Sequence, residues 1–350
     1  MELTLRINEI AFGGSGVGKA DGKVVFVPFT VDQELVQVQL IESHKSFSLA
    51  GVQAILEPSR HRKSPPCPYY QVCGGCDYQH IHYAHQLELK RHQVEQALRR
   101  IAKLAGMVVP PVIPSPKNYG FRNRITVHSD GYAIGFFRKR SRQIVDIARC
   151  ALASEVVNAK LTEIRKQGMA IGSHATVREN ATVTTFTQTN DEVAQKIADY
   201  VRARAKGLVL VDAYCGSGFF AHQLAPAFET TIGIERNRAA CDLATQSALA
   251  NETYFCADVA DTLPRVLRQY RVSTLLLDPP AEGLAKDICA AIAEDPPDRV
   301  IYISCNPATF ARDLRRLGPT FQLVDVQPFD MFPQTAEIEL AALLEPTADG

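Results

Sequence analysis

Four short apolar segments alternate with helical patterns in the second half of the chain, and they constrain the fold more than any other feature. They read LVLVDAY, TTIGIE, STLLLDPP and RVIYIS. Apolar, β-branched runs of this length are typical of buried strands, and their alternation with helices is typical of a doubly wound parallel sheet. We therefore expect an α/β domain over residues 180–350 that binds ligands at the carboxyl ends of its strands.

A cysteine follows the last of these strands. The segment ISCNPATFARDL covers residues 303–314, and Asn306 and Pro307 end the strand directly after Cys305. A thiol at this edge of a parallel sheet is placed to react with a bound ligand. The alternative is a small packed hydrophobe, which is the commoner role of a single cysteine. The local sequence leaves both interpretations open.

The first strand of the domain leads into a turn with two glycines, DAYCGSGFF. Asp212 ends the strand, and Gly216 and Gly218 lie where small residues let a ligand approach the backbone. The next strand ends at Glu235, which is placed to accept hydrogen bonds from a ribose diol. A nicotinamide dinucleotide enzyme would use a similar arrangement, but the third glycine of GxGxxG is missing.

The pattern D-x-x-C-G-x-G instead resembles the first motif of S-adenosylmethionine-dependent methyltransferases. That resemblance assigns Tyr214, inside the motif, to the cofactor site as well. Asp258 in FCADVAD is then placed for the adenine end of the cofactor, and Asp278 in LLLDPP for the reacting end.

Nine cysteines are spread unevenly along the 350 residues. The odd number and the uneven spacing fit thiol or metal chemistry in a reducing compartment better than a disulfide framework. The start, MELTLRINEI, has no basic segment followed by an apolar one, and no apolar run approaches membrane-spanning length. We therefore expect a globular cytoplasmic protein of two or three domains.

Three of the cysteines form the cluster CPYYQVCGGC, in which Cys67, Cys73 and Cys76 are spaced C-x5-C-x2-C. Cys150 is a distant candidate for a fourth ligand. Two thiolates separated by two residues can turn back onto one metal centre, and two glycines between them remove obstructing side chains. Zinc and an iron–sulfur cluster both accept four thiolates, and the spacing favours the cluster only slightly.

The formal net charge is zero, but the charges are unevenly distributed. Residues 51–150 carry 16 Lys and Arg against 6 Asp and Glu, a balance of +10, and residues 151–350 carry 18 against 26, a balance of −8. Cationic surface with nearby aromatic rings suits phosphate contact and base stacking, so nucleic-acid binding is predicted there. A solvated charged face is the alternative for any single basic run. The basic runs include FRNR and RKRSR, and the aromatic residues near them are Tyr119, Phe121, Tyr132, Phe136 and Phe137.

Two further segments precede the α/β domain. Residues 1–57 alternate in short strand-like runs, which predicts a small OB-like β-barrel, and the glycines of AFGGSGVGKADG are expected in hairpin turns. Residues 58–179 form a central domain with the cysteines, the basic runs and the amphipathic segment HQLELKRHQVEQALRRIAKL from 85 to 104.

Together these motifs resemble the bacterial RNA uracil-5-methyltransferases that carry an N-terminal TRAM domain and an iron–sulfur cluster, particularly those acting on 23S rRNA. The likeness covers nearly the whole chain. It rests on GKVVFVP, CPYYQVCGGCDYQH, FTQTN at 186–190, DAYCGSGFF, LLLDPP and SCNPATFARDL. The resemblance implies a Rossmann-like methyltransferase domain, a TRAM barrel that binds RNA, and S-adenosyl-L-methionine as cofactor.

It also implies roles for particular residues. A [4Fe-4S] cluster would be held by Cys67, Cys73, Cys76 and Cys150. Gln188 in FTQTN would contact the cofactor, and Cys305 would be the nucleophile. The base would be Glu339 in TAEIELAAL, although the residues alone do not distinguish it from Glu337. Asp278 would orient the uracil edge or the developing charge.

Two departures weaken the expectation about the substrate. Family members usually continue DPP with Arg, whereas this chain has Ala281 and Glu282, and the interval between Cys150 and Phe186 is short.

A monomer acting on 23S rRNA is expected, with tRNA as the alternative and with no DNA or membrane partner. An exocyclic-amine methyltransferase is a competing reading, but Ala281 cannot stack on a flipped base. A non-catalytic RNA-binding iron–sulfur protein is another.

Overall fold

The computed structural model describes residues 2–180 and 188–347, and the chain divides into two compact units. We call them the first and the second unit. Each combines separate stretches of chain, so the predicted boundaries near residues 57 and 179 stay a prediction. The first unit comprises Met1–Gln93, Ser115–Ala181 and Phe332–Glu337, and the second comprises Val94–Pro114, Thr182–Met331 and Ile338–Gly350.

A six-stranded sheet opens the first unit. Its strands are β1 (Glu2–Arg6), β2 (Glu9–Ile10), β3 (Ser15–Ala20), β4 (Lys23–Pro28), β5 (Leu35–Ser43) and β6 (Phe47–Glu57). The spatial order is β1-β5-β6-β4-β3-β2, and every pairing is antiparallel except that of β4 with β6. Alternate apolar residues such as Val25, Val27, Val36 and Val38 are buried, because successive strand residues face opposite sides of a sheet.

The glycine-rich segment AFGGSGVGKADG forms a turn and then a strand, so the expectation of turns alone was wrong. Gly13 and Gly14 have positive φ angles of 90° and 86°, and β3 follows them directly. Gly16 lies inside the strand, where a Cβ atom would be 2.0 Å from Oγ1 of Thr30. This close approach requires glycine for a packing reason rather than for a turn.

A second sheet of the first unit has the order β10-β7-β8-β9. Its strands are β7 (Arg124–Ser129), β8 (Ile134–Phe137), β9 (Ile144–Asp146) and β10 (His174–Arg178). Helix α2 (Glu155–Gln167) contributes Val157 and Leu161 to the core that this sheet shares. The helix starts at Ser154, whose side chain accepts a hydrogen bond from the backbone N–H of Val157.

The amphipathic segment expected to be helical from 85 to 104 forms helix α1 (Tyr83–Ala97) followed by a π-helical turn at Leu98–Ala102. Lys103 then ends it in a left-handed conformation, with a φ angle of 64°. The boundary between the two units falls within α1.

The second unit contains a seven-stranded sheet. Its strands are β11 (Val209–Ala213), β12 (Thr230–Glu235), β13 (Glu252–Cys256), β14 (Thr274–Leu277), β15 (Val300–Ser304), β16 (Phe321–Phe329) and β17 (Glu339–Pro346). The helices are α3 (Asp191–Arg204), α4 (Phe219–Leu224), α5 (Arg238–Gln246), α6 (Val259–Gln269), α7 (Lys286–Glu294) and α8 (Pro307–Leu317). Ala225–Ala227 form a 3-10 turn.

The order of this sheet is β13-β12-β11-β14-β15-β17-β16. The first five strands are parallel, and the order reverses between β11 and β14, which creates the crevice where such sheets bind ligands. Strand β17 runs antiparallel between β15 and β16. Its first residue therefore lies at the same edge as the carboxyl ends of the parallel strands. The predicted doubly wound α/β fold is confirmed, and the antiparallel hairpin is an addition to it.

Within the described part of the chain, no helix combines the length and apolar character that crossing a membrane requires.

Candidate active site and cysteine cavity

The two predicted reacting residues of the second unit lie on neighbouring strands. Cys305 directly follows β15, and Glu339 is the first residue of β17. The antiparallel register pairs Ser304 with Leu340, the residues that adjoin Cys305 and Glu339 in the sequence. Paired residues of antiparallel strands have Cα atoms about 4.5–5.5 Å apart, so their neighbours Cys305 and Glu339 lie close together at this edge and can act on one bound ring.

Burial separates the two candidate bases. Glu339 is only 8% exposed, whereas Glu337 is exposed to solvent. A base that must take a proton from a substrate shielded from water belongs at the buried position. The structure therefore supplies a reason for choosing Glu339 that the sequence lacked.

Asp278 follows β14 at the same edge and is half-buried. Its backbone N–H donates to the carbonyl of Ala213, 3.3 Å away. Burial raises the pKa of Asp278 to about 7. Asp212 lies deeper: burial, with the Asp278 carboxylate nearby, raises its pKa well above the ordinary range. One Asp212 oxygen accepts from the backbone of Ala221 at 3.1 Å, and the other has no partner among the residues that the structure describes.

The glycine turn after β11 has an unusual backbone. Tyr214 has a φ angle of 68°, a conformation that non-glycine residues seldom adopt outside functional or strained sites. Gly216 has a φ of 56° and faces open space, since a Cβ atom there would meet nothing within 4 Å. Its backbone N–H donates to Glu235 at 3.1 Å, so that carboxylate ties the turn to the end of β12.

These groups suit a cationic ligand. Asp212, Glu235 and Asp278 bring three carboxyl groups to the turn and the neighbouring strand ends, and the Asp212 pKa is raised by both of the other carboxylates. S-adenosylmethionine carries a sulfonium and an ammonium group, which would relieve this repulsion. The open side of Gly216 leaves room for its approach. We conclude that the residues present fit the predicted cofactor.

The other predicted cofactor residues lie at or just before the first residues of helices. Asp258 caps α6 by accepting from the N–H of Ala260 at 2.9 Å. Gly218 caps α4, with a φ angle of 83°. Gln188 is partly buried two residues before the capping Asn190 of α3. The first two residues of FTQTN, 186 and 187, lie outside the described residues.

Residues on α8 hold the loop that follows Asp278, a function that the sequence analysis missed. Asn306 Nδ2 and Thr309 Oγ1 both donate to the carbonyl of Ala281, at 3.2 and 2.9 Å. Arg312 donates to the carbonyl of Glu282 at 2.7 Å. The signal was available in SCNPATFARDL, because polar residues three positions apart share one face of a helix.

Asp313 completes this anchoring from a fully buried position. Its Oδ2 accepts from the N–H of Leu284 at 2.7 Å and from the hydroxyl of Tyr302 at 2.9 Å. Arg312 and Arg316 contact its other oxygen. The backbone of the loop that carries Ala281 and Glu282 is thus fixed to α8, the helix that follows Cys305.

In the first unit, the four predicted metal ligands line one cavity of about 440 Å³. We call it the cysteine cavity. Burial raises the pKa of the Cys76 thiol to about 12 and raises those of Cys67 and Cys73, and neighbouring thiols add to each increase. Its principal lining residues are Cys67, Cys73, Cys76, Cys150, Gln79 and Arg122.

Two side chains and one close approach of the backbone support the cysteine positions. Gln79 accepts from the N–H of Cys67 at 3.3 Å and donates to Cys76 Sγ at 3.1 Å. Asn158 bonds both the N–H and the carbonyl of Cys150, at 2.9 and 3.0 Å. Gly74 lies close to the end of β8, since a Cβ atom on it would be 3.0 Å from the carbonyl oxygen of Phe137 and from the backbone nitrogen of Lys139. These contacts fix the backbone of Cys67 and Cys150 and the sulfur of Cys76.

Across the described ranges, no three His, Cys, Asp or Glu residues converge tightly enough to count as a metal-binding group. The predicted metal site is therefore not shown by the structure. Four thiols around a cavity of this volume nevertheless fit a group larger than a single ion. An iron–sulfur cluster, which takes four thiolates, meets that description.

The basic and aromatic residues near the cavity differ in accessibility. Arg138, Arg140 and Arg142 are exposed, whereas Lys139 forms an ion pair with Asp77. Tyr132 is 99% exposed and Phe137 is 38% exposed, so both rings can stack on a base. Phe121, by contrast, is only 8% exposed and belongs to the interior, so grouping it with the surface aromatics was wrong.

The sequence is similar to those of known RNA methyltransferases. The sequence model of the tRNA (uracil-5-)-methyltransferase family matches residues 263–347, the part that carries Asp278, Cys305 and Glu339. An uncharacterized RNA methyltransferase of Bdellovibrio bacteriovorus is 31% identical, with 98% of this chain and 95% of that protein aligned. The tRNA (uracil(54)-C(5))-methyltransferase of Schizosaccharomyces pombe is 27% identical over 97% of this chain and 77% of its own length.

One solved structure covers nearly the whole chain. It is the Pyrococcus abyssi tRNA (uracil-54, C5)-methyltransferase in complex with S-adenosyl-L-homocysteine, with a TM-score of 0.73 and 23% identity, and the match covers 98% of this chain and 100% of that one. This likeness shows a shared fold.

Proposed function

The chain belongs to the family of S-adenosylmethionine-dependent RNA uracil-5-methyltransferases, and from that premise we propose that Cys305 is its nucleophile and Glu339 its base. The observation that supports this most directly is the register of β15 and β17, which brings the two residues close together at one edge of the sheet. Membership of this family also removes the basis for an exocyclic-amine methyltransferase or a non-catalytic protein.

The proposed chemistry begins at the thiol. Carbon 5 of uracil is a weak nucleophile, so the Cys305 thiolate adds to carbon 6 and makes the ring an enolate. S-adenosylmethionine, when bound, supplies an electrophilic methyl group for carbon 5. Tyr214, Gly216, Gly218, Glu235, Asp258 and Gln188 would hold the cofactor, with Asp212 beneath the turn.

Glu339 then closes the reaction. It takes the proton left on carbon 5, the electrons of that C–H bond form the double bond between carbons 5 and 6, and the bond from carbon 6 to sulfur breaks. The Cys305 thiolate is regenerated. Asp278, whose pKa is raised to about 7 by burial, can present a proton or a carboxylate to the polar edge of the ring near neutral pH.

Replacing each residue separately tests this order of events. Cys305→Ala should transfer no methyl group and form no covalent complex with RNA, because the first bond is never made. Glu339→Gln should methylate the uridine and then stall, which leaves methylated RNA attached to Cys305 in denaturing electrophoresis and slows turnover about 10²–10⁴-fold. The double variant should form no adduct. Near-normal turnover by Cys305→Ala would overturn the thiolate mechanism, and an adduct from Glu337→Gln instead would reassign the base.

The RNA that carries the target uridine is a finer part of the proposal. We propose 23S rRNA, supported by the likeness of CPYYQVCGGCDYQH and SCNPATFARDL to family members that act on it. tRNA is the competing substrate, which the name of the Schizosaccharomyces pombe relative favours. Mapping 5-methyluridine in cells with and without the gene decides between them: loss from 23S rRNA alone supports the proposal, and loss from tRNA alone contradicts it.

The proposal extends to the first unit. The thiols of the cysteine cavity would hold a [4Fe-4S] cluster. Support comes from the four cysteines that line one cavity and from the hydrogen bonds to Cys67, Cys76 and Cys150. The six-stranded sheet would serve as the TRAM barrel and contribute RNA affinity. The exposed arginines at 138–142 and the ring of Tyr132 would contact RNA phosphates and bases.

A further inference from the structure

The chain that leads into the base is held by the first unit. Residues Phe332–Glu337 belong to that unit, and Glu339 follows them by two positions. Gln334, Thr335 and Ala336 are all buried there. A surface loop between two strands would expose such residues, so this segment requires a specific explanation.

Gln334 is fixed through both its backbone and its side chain. Gln86 Nε2 donates to Gln334 Oε1 at 3.0 Å, and Gln86 Oε1 accepts from the N–H of Gln334 at 3.1 Å. The hydroxyl of Tyr119 donates to the same Gln334 oxygen at 3.2 Å. The backbone N–H groups of Asp77 and Tyr78 both donate to the carbonyl of Gln334, at 3.1 and 2.9 Å.

The backbone of Gln334 has a φ angle of 67°, a left-handed conformation that costs energy for any residue other than glycine. The reciprocal bonds with Gln86 offset this cost. The nitrogen and the oxygen of the Gln86 amide bond the side chain and the backbone of Gln334, respectively. Two bonds of opposite direction hold the backbone in one conformation.

Three further contacts hold the rest of the segment. Asp77 Oδ2 accepts from the N–H of Ala336 at 3.3 Å, and Lys90 Nζ donates to the carbonyl of Phe332 at 3.1 Å. The methyl group of Ala336 is packed in the hydrophobic core of the six-stranded sheet. Contacts therefore continue to within three residues of Glu339, and Asp77 directly follows the predicted cluster ligand Cys76.

We infer that Gln86 and Asp77 are positioning residues for the base Glu339. They hold the backbone of Gln334 and Ala336, and so they fix the path by which the chain enters β17. The inference rests on the proposed function, because it takes Glu339 to act only after methyl transfer. A displacement of about 1 Å costs a reacting group roughly 10²-fold in rate, so loosening this path should slow the proton-removal step selectively.

Gln86→Leu tests the inference through the step that it should affect. The variant should transfer its first methyl group within about twofold of the natural rate and then turn over roughly 10–100-fold more slowly. Methylated RNA should accumulate on Cys305 and be visible as an adduct in denaturing electrophoresis. A residue with a merely structural role would lower the first turnover and the steady state together, and it would leave no adduct.

The same helix provides a matched control. Gln93 is also buried on α1, but its side chain donates to the carbonyl of Ile10 and to the hydroxyl of Tyr78, at 3.1 and 3.0 Å, and so it holds the six-stranded sheet. Gln93→Leu should cost comparable stability and accumulate no adduct. Tyr119→Phe removes only one bond to Gln334 and keeps the ring, so it should fold and accumulate a smaller amount of adduct.

The outcomes separate this inference from the proposed function. If Glu339→Gln forms an adduct but Gln86→Leu and Tyr119→Phe do not, the positioning role is wrong and the mechanism stands. If Glu339→Gln itself forms no adduct, the mechanism fails first. Should Gln86→Leu not fold, Tyr119→Phe alone decides, and an adduct level equal to that of the natural protein overturns the inference.

Discussion

Cysteine is used in two different ways by the two units. In the first unit, four thiols surround a cavity and depend on loops, which are held by Gln79, Asn158 and the close approach at Gly74. In the second unit, Cys305 stands one residue beyond a buried strand, and the regular pairing of β15 with β17 brings Glu339 near it.

This difference teaches what each site can tolerate. The Cys305 side chain lies beyond the hydrogen-bond ladder of β15, so changing it should affect chemistry and leave stability nearly unchanged. Loops without a regular hydrogen-bond ladder depend on the groups that cross-link them, so changing a ligand should affect the whole region. The predictions below test this contrast.

Cys73→Ser should give the largest effect on stability. With an incomplete ligand set the protein should lose most of its iron, its brown colour and its broad absorbance near about 400 nm. The free energy of unfolding of the first unit should fall by at least about 3 kcal/mol, which lowers Tm by roughly 6–12 °C. Iron and sulfide analysis and thermal unfolding under anaerobic conditions measure both.

The matched control is Cys289→Ser, which changes a buried thiol of α7 in the second unit and should leave the iron content unchanged. A colourless natural protein with one zinc ion and no iron would contradict the cluster. Equal iron content in the natural protein and in Cys73→Ser would show that this thiol is not a ligand.

Asp278→Asn should stabilise the ligand-free protein while lowering its activity. Burial raises the folded-state pKa of this carboxyl to about 7, above its unfolded value of 3.8. Between those values the unfolded chain releases a proton that the folded chain keeps, so stability falls as pH rises from about 4 to about 7. The variant should gain roughly 1–3 kcal/mol over the natural protein at pH 8 and nothing below pH 4. Denaturant unfolding across this range checks it, and a difference independent of pH would refute the assignment.

Thr309→Val should loosen the loop after Asp278 without disturbing the sheet. The change removes the donor to the carbonyl of Ala281, so it should cost about 0.5–1.5 kcal/mol and slow turnover up to roughly tenfold. Thr245→Val on α5 is the control, because its hydroxyl also donates to a backbone carbonyl, that of Cys241 at 2.9 Å, away from this loop. Equal turnover in the two variants would show that the anchoring has no catalytic consequence.

Neutralising Arg138, Arg140 and Arg142 should give the smallest effect and should concern RNA affinity alone. The salt dependence of binding should become shallower by about 0.7–0.9 for each RNA phosphate that the variant no longer neutralises. Lys139→Gln should change the slope less, because its ammonium pairs with Asp77. RNA binding that does not depend on salt would contradict the proposed surface.

Patterns along the chain predicted much of this protein. Apolar strands that end in Asp212, Glu235, Asp278 and Cys305 specify both a parallel sheet and the edge where chemistry occurs, because the carboxyl ends of parallel strands share one edge. The spacing of Cys67, Cys73 and Cys76 likewise predicted that these three cysteines lie together, and they line one cavity. These inferences succeed because each depends on residues a few positions apart.

The remaining features depend on which distant segments meet, and only the tertiary structure decided them. Glu339 and Glu337 are equivalent in the sequence, but the antiparallel hairpin buries Glu339 and brings it to the edge where Cys305 lies. The contact between Gln86 and Gln334 joins residues 248 positions apart. Periodicity reflects local geometry, whereas pairing across such a separation depends on the path of the whole chain, so no local pattern could have revealed the contacts that hold the segment before Glu339.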